Sequence, residues 1–240
     1  MKKRGMRWCL ILTYMLVLST TVMLTIVGNR SITVIAEQVP VSNRKVVIID
    51  AGHGGIDGGA SSPTGILESQ INLQIARKLD DLMHLLGIKT VMIRTTDTSI
   101  HIKGNTIAQK KVSDLNERVR IVNETEGSIL VSIHQNHFSD SRYSGAQAFY
   151  APTDGSKELA EKIQRTFAQS IDPTNKRQVK KTDGVYLMQH IQRTGVLIEC
   201  GFLSNPKEEV LLQNAQYQNK ICCVIASCCS TFLQEDTQLT

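Results

Sequence analysis

The chain has 240 residues, of which 41% are hydrophobic, 20% charged and 5% aromatic, with 16 glycines and 5 prolines. This composition excludes collagen-like, low-complexity and disordered chains, and it supports one domain of about 200 residues with its own core. The formal net charge is +5, but five of the 27 Lys and Arg residues precede residue 37 and no acid does, so the rest of the chain is neutral and a nucleic-acid partner is not expected.

Residues 1–36 have the pattern of an export leader. A basic segment, residues 1–7, precedes the uncharged residues 8–29, and this order directs the rest of the chain out of the cytoplasm. The small-residue spacing of Val34 and Ala36 fits a signal peptide cleaved after Ala36. An apolar run close to the roughly 20 residues that span a bilayer fits a retained membrane anchor. Both interpretations stay open, and both predict an extracytoplasmic protein, secreted or membrane-anchored.

An alternating pattern of strands and helices follows a polar linker at residues 37–45. Residues 46–50, VVIID, form a short β-branched apolar run that is typical of a buried strand. Residues 68–86 have apolar side chains at helical spacing and end at Gly87, the residue type that commonly follows a helix. A second strand is predicted at residues 89–94.

The middle of the chain continues this pattern. A polar loop at residues 95–112 precedes a helix that begins at Ser113, which is the predicted N-cap. The predicted apolar face of that helix consists of Leu115, Val119 and Val122. Strands are predicted at residues 128–134, SILVSIH, and at residues 145–151.

The last third contains two helices and two strands. Residues 156–171 have helical periodicity, and residues 183–188 and 195–200 are strand candidates. A helix is predicted over residues 206–232, with a break near Tyr217. Buried strands that alternate with amphipathic helices predict a single α/β domain, with helices on both faces of a largely parallel sheet.

The six cysteines do not form a recognisable metal motif. Cys9 lies in the leader and Cys200 in a predicted strand, while two adjacent pairs lie near the C-terminus: Cys222, Cys223, Cys228 and Cys229. This CC…CC spacing is not a C-x-x-C zinc pattern, and Cys222 and Cys229 are spaced to share one helix face. Packing as small apolar residues is the main interpretation, and disulfide bonding or a lipid-facing role are the alternatives.

Four polar residues lie where open α/β sheets form their sites, near the carboxyl ends of strands: His53, Glu68, His134 and Glu199. Two imidazoles and a carboxylate suit Zn²⁺, and three protein ligands with one open position are typical of a catalytic zinc site. Such an ion polarises a scissile carbonyl and lowers the pKa of water toward about 7. We therefore predict His53, Glu68 and His134 as ligands, and Glu199 as the base that passes a proton to the leaving amine.

Each of these residues also has a structural interpretation. A strand-end histidine is more often a hydrogen-bonded structural residue, and Glu68 could simply favour the positive end of its helix. Glu199 is harder to explain in this way, because an unpaired carboxylate in an apolar run is costly to bury. The glycine-rich DAGHGGIDGG lacks the G-x-G-x-x-G and P-loop patterns, which disfavours a nucleotide site. The remaining histidines are interpreted as structural: His84, His101, His137 and His190.

Six segments in this order resemble the zinc-dependent N-acetylmuramoyl-L-alanine amidases of the Amidase_3 type: VVIIDAGHGGIDGGA, GILESQINLQIA, VMIRTTD, LNERVRIVN, SILVSIHQN and VLIECGFLSNPKE. The resemblance implies a catalytic domain at residues 46–232 with a twisted six-stranded sheet, followed by a polar tail at residues 233–240. It also implies one Zn²⁺ on His53, Glu68 and His134, with Glu199 catalytic. It assigns no substrate-binding residue.

The family reaction separates the lactyl group of N-acetylmuramic acid from L-alanine in peptidoglycan. The single domain, the leader and the absence of wall-binding repeats are most similar to the germination-specific amidases of the spore cortex, which implies a step toward muramic δ-lactam. Two alternatives stay open: a non-catalytic or partner-dependent cell-wall binding protein with this fold, and a zinc exopeptidase. Because the ligands lie on separate segments, zinc binding could also require an accessory protein or a dimer.

Overall fold

The computed structural model of the protein describes residues 46–237. The predicted leader, the linker and residues 238–240 of the tail lie outside this range. Six strands form one sheet: β1 (Val46–Ala51), β2 (Thr90–Met92), β3 (Ser128–Asn136), β4 (Gln147–Tyr150), β5 (Lys180–Lys181) and β6 (Thr194–Phe202). Six helices accompany it: α1 (Glu68–Leu85), α2 (Ile107–Glu124), α3 (Ser156–Ser170), α4 (Tyr186–His190), α5 (Pro206–Gln213) and α6 (Ala215–Thr237). No helix within the described range is long and apolar enough to cross a bilayer.

The sheet has the strand order β2-β1-β3-β6-β4-β5. The pairs β1–β2, β1–β3 and β3–β6 are parallel, and β4 runs antiparallel to β6 and parallel to β5. The prediction of a largely parallel six-stranded sheet is therefore confirmed. Because β1, β3 and β6 are parallel neighbours, their carboxyl ends lie at the same edge, which is where such sheets place their sites.

Helices cover both faces of the sheet, as predicted. Alternate residues of β1 point to opposite faces, so Val47 and Ile49 belong to a larger core and Ile48 to a smaller one. The larger core includes the apolar side chains of α1, α3 and α6, and the smaller core includes Val122 of α2 and Met188 of α4. All six residues of β1 are buried, which explains why its sequence is apolar without alternation.

The start of α2 differs from the prediction. The helix begins at Ile107, not at Ser113, because Thr106 and Gln109 form a capping box in which each side chain accepts from the other's backbone N–H. Ser113 lies inside the helix, where its Oγ accepts from the backbone N–H of Ile102 at 3.1 Å. The predicted loop over residues 95–112 is correspondingly shorter.

The buried face of α2 is also more polar than predicted. Val122 is fully buried, but Leu115 and Val119 are only partly buried, while Asp114 and Arg118 are buried. Arg118 donates to the carbonyl of Ala51 at the end of β1, while Asp114 accepts from Nε of Arg118 and from the N–H of Ile100, so both buried polar side chains have hydrogen-bond partners.

Three further predictions are corrected near the C-terminus. Residues 183–188 are not a strand: the short strand β5 precedes them, and α4 begins at Tyr186, with Leu187 and Met188 packed in the smaller core. The predicted break in the last helix exists but lies at Asn214, whose Oδ1 accepts from the N–H of Tyr217 at 3.1 Å and so caps α6. The helix α6 then extends to Thr237, beyond the predicted end at residue 232.

The packing interpretation of the C-terminal cysteines is confirmed for three of the four. Cys222, Cys228 and Cys229 are buried in the larger core, and Cys223 is exposed. The Sγ of Cys222 donates to the carbonyl of Ile75 at 3.5 Å, which joins α6 to α1. No disulfide is formed among the cysteines in the described range.

Candidate metal centre and active site

The predicted ligands converge at the edge formed by the carboxyl ends of β1 and β3. His53 follows β1, His134 lies near the end of β3, and Glu68 is the first residue of α1. One donor atom from each of these residues lies within 4.8 Å of the other two. In the part of the chain that the structure describes, this is the one cluster of His, Cys, Asp or Glu residues with that geometry. The structure therefore brings together the three residues that the sequence singled out.

The Glu68 carboxylate lies between the two imidazoles. Its Oε2 is 3.2 Å from Nε2 of His53, and its Oε1 is 2.9 Å from Nδ1 of His134. The two imidazole rings meet edge to face, with centroids 5.0 Å apart. Each histidine thus presents one ring nitrogen to the same carboxylate, which is the arrangement expected around a shared cation.

Backbone and side-chain donors fix the orientation of Glu68. Its Oε2 accepts from the N–H of Ala60 at 3.0 Å, and its Oε1 accepts from Nδ2 of Asn72 at 3.2 Å and from the N–H of Gln135 at 3.1 Å. Burial by itself would raise the pKa of Glu68, but hydrogen bonds to His134 and His53 outweigh it and hold that pKa well below the usual range. The residue is therefore an oriented, ionised carboxylate.

Asp57 supports His53 from the side away from Glu68. Its Oδ2 is 3.0 Å from Nδ1 of His53, and Lys111 of α2 lies 3.1 Å from the same oxygen. Burial would lower the pKa of His53, but the hydrogen bonds and charges of Glu68 and then of Asp57 raise it to about 9. A carboxylate behind a ligating histidine fixes the ring and directs its other nitrogen to the metal. Asp57 was not among the residues predicted from the sequence, although it lies within the same glycine-rich segment.

The backbone of His53 is strained. Its φ is 63°, and it is the one non-glycine residue in residues 46–237 with a positive φ. For a residue with a side chain this conformation costs roughly 1–2 kcal/mol. Gly54 and Gly55, which follow, also have positive φ values, of 132° and 61°. The chain therefore turns sharply after β1, and the turn aims the imidazole at Glu68.

Gly52 leaves the room that the His134 ring requires. A Cβ at this position would lie 2.2 Å from Nε2 of His134, closer than any stable contact. We expect Gly52→Ala to displace the ring from Glu68 and to weaken zinc binding about 10-fold or more, since displaced metal-site geometry typically costs that much. Isothermal titration of the metal-free protein with Zn²⁺ measures this effect.

Gly127→Ala is the matched control for Gly52→Ala. Gly127 has a φ of 64°, a Cβ added to it would have no atom within 4 Å, and it precedes β3 at the opposite edge of the sheet. This variant should cost stability through backbone strain and leave zinc affinity unchanged. Equal zinc affinity of the two variants would contradict the role assigned to the Gly52 contact.

Glu199 lies beside the three predicted ligands. It is the register partner of His134 across the β3–β6 pair, so the two side chains project from the same face of the sheet. Among the described residues, its Oε2 is a solvent-inaccessible atom without a hydrogen-bond partner. Burial, partly offset by the charge of His134, raises the pKa of Glu199 to about 7. A carboxyl group with this pKa can both accept and donate a proton near neutral pH.

Three of the other four histidines have hydrogen-bond partners that fit a structural role. Nε2 of His84 lies 2.9 Å from Thr90 Oγ1, and Nδ1 of His101 lies 2.9 Å from Ser99 Oγ. Nδ1 of His190 lies 2.8 Å from the carbonyl of Tyr186. His137 is exposed, and none of the four belongs to the cluster of potential metal ligands.

The residues of the cluster fit a zinc ion. Two imidazole nitrogens and a carboxylate form a donor set found in catalytic zinc sites, and zinc binding requires the unprotonated forms of these groups. Nε2 of His53 and Oε2 of Glu68 face each other at 3.2 Å, and Nδ1 of His134 faces the other oxygen of Glu68 at 2.9 Å. A cation bound by these groups would satisfy the negative charge of Glu68. The unpartnered Oε2 of Glu199 provides an acceptor beside it.

Comparison with known proteins gives one consistent result. Residues 47–229 match the family described as N-acetylmuramoyl-L-alanine amidase, Amidase_3. The germination-specific N-acetylmuramoyl-L-alanine amidase of Bacillus subtilis is 37% identical over 179 residues, which cover 74% of this chain and 75% of that protein. The amidase LytC of the same organism is 31% identical, but the match covers only 33% of its length.

Solved structures show the same similarity. The CwlD amidase of Clostridioides difficile, determined in complex with the GerS lipoprotein, superposes with a TM-score of 0.75 and is 40% identical. The match covers 79% of this chain and 98% of that one. An N-acetylmuramoyl-L-alanine amidase from Clostridium difficile 630 has a TM-score of 0.71 at 33% identity, over 80% of this chain and 98% of that one.

Proposed function

The chain belongs to the N-acetylmuramoyl-L-alanine amidase family, and on that basis we propose that it is a zinc hydrolase that cleaves the amide between N-acetylmuramic acid and L-alanine in peptidoglycan. The observation that carries the proposal is the convergence of His53, Glu68 and His134, with Glu199 next to them on the same face of the sheet. Family membership supports the bond that is cut, and the geometry supports the assignment of the residues.

Three side chains would hold the metal. His53 would bind through Nε2, because its Nδ1 faces Asp57, and His134 through Nδ1, which faces Glu68. Glu68 would supply the negative charge that balances part of the charge of the ion. When bound, zinc polarises the scissile carbonyl and makes water a stronger nucleophile near neutral pH.

Glu199 moves the protons of the reaction. Its carboxylate accepts a proton from the attacking water and delivers it to the nitrogen of L-alanine, which must be protonated to leave as an amine. In the chain without metal, burial raises the pKa of Glu199 to about 7, so neither of its protonation states is strongly disfavoured at neutral pH. The position of Glu199 beside His134 in the sheet register supports proton transfers close to the proposed metal.

Product analysis tests the proposal. The zinc-loaded protein is incubated with purified peptidoglycan, and the products are identified by mass spectrometry. We expect stem peptides with a free N-terminal L-alanine and glycan strands with intact lactyl groups. Zinc bound to a protein that leaves peptidoglycan intact would favour a binding or regulatory function instead, and release of single amino acids would favour an exopeptidase.

We infer further that the natural substrate is spore cortex, which requires the protein to act outside the cytoplasm. The similarity to the germination-specific amidase supports this choice, since that protein matches along three quarters of its length. Deletion of the gene should remove muramic δ-lactam from cortex muropeptides and leave the vegetative wall unchanged. Retention of δ-lactam in the cortex of the deletion strain would contradict the assignment.

An accessory protein is a further part of the proposal. The CwlD relative was solved in complex with the GerS lipoprotein, which supports an accessory protein as a partner of this chain. We propose that such a partner contributes to zinc binding. Titration of the isolated monomer with Zn²⁺ tests this point. Full occupancy at equimolar zinc, without any partner, would contradict the need for one.

A further inference from the structure

Two buried arginines, Arg94 and Arg118, donate hydrogen bonds to the backbone of the segment that carries His53. We propose that both act as positioning residues that set the affinity of the proposed metal site for zinc. The inference rests on the proposed metal site. Arg94 is 3% exposed and Arg118 is 2% exposed, although arginine is rarely buried to this extent. Neither residue is a potential metal ligand, and the proton transfers proposed above use neither.

The arginines donate hydrogen bonds to three consecutive backbone carbonyls, the last one of β1 and the two that follow it. Arg94 donates from Nε to Ala51 at 2.7 Å and from Nη2 to Gly52 at 3.0 Å. Arg118 donates from Nη1 to Ala51 at 3.1 Å and from Nη2 to His53 at 2.8 Å. These carbonyls lie where β1 leaves the sheet, so the two guanidinium groups replace the partners that a neighbouring strand would supply.

These hydrogen bonds explain how the strained backbone conformation of His53 persists. A non-glycine residue such as His53 stays in the left-handed region only when contacts with its surroundings outweigh the conformational cost of that backbone geometry. The hydrogen bond from Arg118 ends directly on the carbonyl of His53, and the bonds from Arg94 fix the two preceding peptides. The side chain of His53 is thereby held toward Glu68.

Arg94 also connects this segment to the helix that carries the second ligand. Its Nη2 donates to the carbonyl of Ser69, the residue after Glu68, at 2.9 Å. One guanidinium group therefore contacts the backbone beside two of the three ligands. The distance between these ligands consequently depends on the forked geometry of arginine, which lysine cannot reproduce.

Acidic side chains hold Arg118 in place. Its Nε donates to Asp114 on the same helix at 2.7 Å, and its Nη1 donates to Asp50, the residue before Ala51. Asp50 in turn accepts from Ser132 Oγ of β3 at 2.6 Å. Arg118 is thus held by side chains of α2 and of the sheet.

The charge of the arginines argues against a purely electrostatic role. Two cations close to the site would oppose the binding of a divalent cation, so removal of a charge should strengthen binding if charge were their contribution. A positioning role predicts the opposite sign. Arg94 is the more informative residue here, because its ion-pair partner among the described residues, Asp97, is 3.9 Å away and 42% exposed.

The test compares zinc affinity among arginine variants of the full chain. We expect Arg118→Lys and Arg94→Lys to raise the dissociation constant for Zn²⁺ about 10- to 100-fold, as loss of supporting contacts around a metal ligand does, and Arg94→Met to raise it as well. Competition with a chromophoric chelator measures the constant. The visible absorption spectrum of the Co²⁺-substituted variants should also change, because the ligand geometry relaxes.

Arg120→Lys is the matched control. Arg120 lies on the same helix as Arg118, but it is half-exposed, and its ion-pair partners within residues 46–237 are Glu117 and Glu124. It should bind Zn²⁺ and Co²⁺ like the unaltered chain. A merely structural role would lower the melting temperature of the metal-free variants and leave the zinc dissociation constant of the folded protein unchanged.

Three results would overturn the inference: zinc affinity within twofold of the unaltered chain in both lysine variants, an unchanged Co²⁺ spectrum, or tighter binding by Arg94→Met. If Arg118→Lys does not fold, the two Arg94 variants decide the question. These measurements need no peptidoglycan. If the unaltered chain binds zinc but does not cleave peptidoglycan, the proposed function is contradicted and the inference about the two arginines is unaffected.

Discussion

Glu199→Gln is expected to reduce hydrolysis of peptidoglycan about 1,000-fold while one zinc ion per chain stays bound, since general acid–base catalysis contributes about 10²- to 10⁴-fold. Glutamine has nearly the same shape as glutamate but cannot accept the proton of the attacking water. The three predicted ligands are unaffected, because Glu199 makes no hydrogen bond to any of them in the structure. Release of free N-terminal L-alanine measures the rate, and elemental analysis measures the zinc.

Glu161→Gln is the control for this substitution. Glu161 lies on α3, and its partly exposed carboxylate is 3.7 Å from Lys157. This variant should retain full activity and full zinc content, because a surface ion pair of this kind contributes little. Activity of Glu199→Gln within tenfold of the unaltered chain would contradict the role of Glu199 as the base. Loss of zinc together with activity would show that Glu199 supports the metal instead.

Glu68→Gln is expected to remove zinc from the protein. In the structure, one carboxylate oxygen of Glu68 lies 3.2 Å from His53 and the other lies 2.9 Å from His134. Glutamine has no charge, and its amide has only one oxygen to present to the two histidines. We expect zinc affinity to fall at least about 100-fold, since loss of supporting residues alone costs 10- to 100-fold, and activity to fall with it. Titration with Zn²⁺ and the peptide-release assay measure both quantities.

The control for Glu68→Gln addresses the alternative role of this residue at a helix start. Glu158 occupies the first turn of α3 and is exposed. An acid in this position favours the positive end of a helix by about 0.3–1 kcal/mol. Glu158→Gln should therefore lower stability slightly and leave zinc binding intact. The same small effect in Glu68→Gln, with zinc retained, would show that Glu68 only stabilises its helix.

The main elements of the fold were predictable because their signals are local. The strand β1 is a continuous β-branched apolar run, and α1 has a helical apolar period that ends before Gly87, whose φ of 73° confirms the expected conformation. The strand at residues 183–188 was wrong because a short apolar run has no periodicity that distinguishes a strand from a helical turn. Contacts of Leu187 and Met188 with the smaller core decide its conformation.

The start of α2 was missed for a different reason. The predicted N-cap, Ser113, has a suitable side chain, but a stronger signal lies earlier, in the pair Thr106 and Gln109. The intervening Lys110 and Lys111 are polar and made the segment resemble a loop. A capping box is a local pattern, so a search for Ser or Thr followed three residues later by Glu or Gln would have found it.

The residues of the site were predictable where they belong to a sequence motif or lie near the end of a predicted strand. His53, Glu68 and His134 do converge, and Glu199 lies beside His134, although their roles stay predictions until they are tested. The support behind these residues was not predictable. Arg118 is 65 residues from His53 along the chain, and only the packing of α2 against the end of β1 brings the two into contact.

A zinc-bound crystal structure, with data collected on both sides of the zinc absorption edge, tests the central claim most directly. We expect one anomalous peak per chain, bonded to Nε2 of His53, a carboxylate oxygen of Glu68 and Nδ1 of His134, with the Glu199 carboxylate facing the open coordination position. A zinc ion bound elsewhere, or a Glu199 side chain directed away from it, would contradict the proposed metal site and its catalytic base.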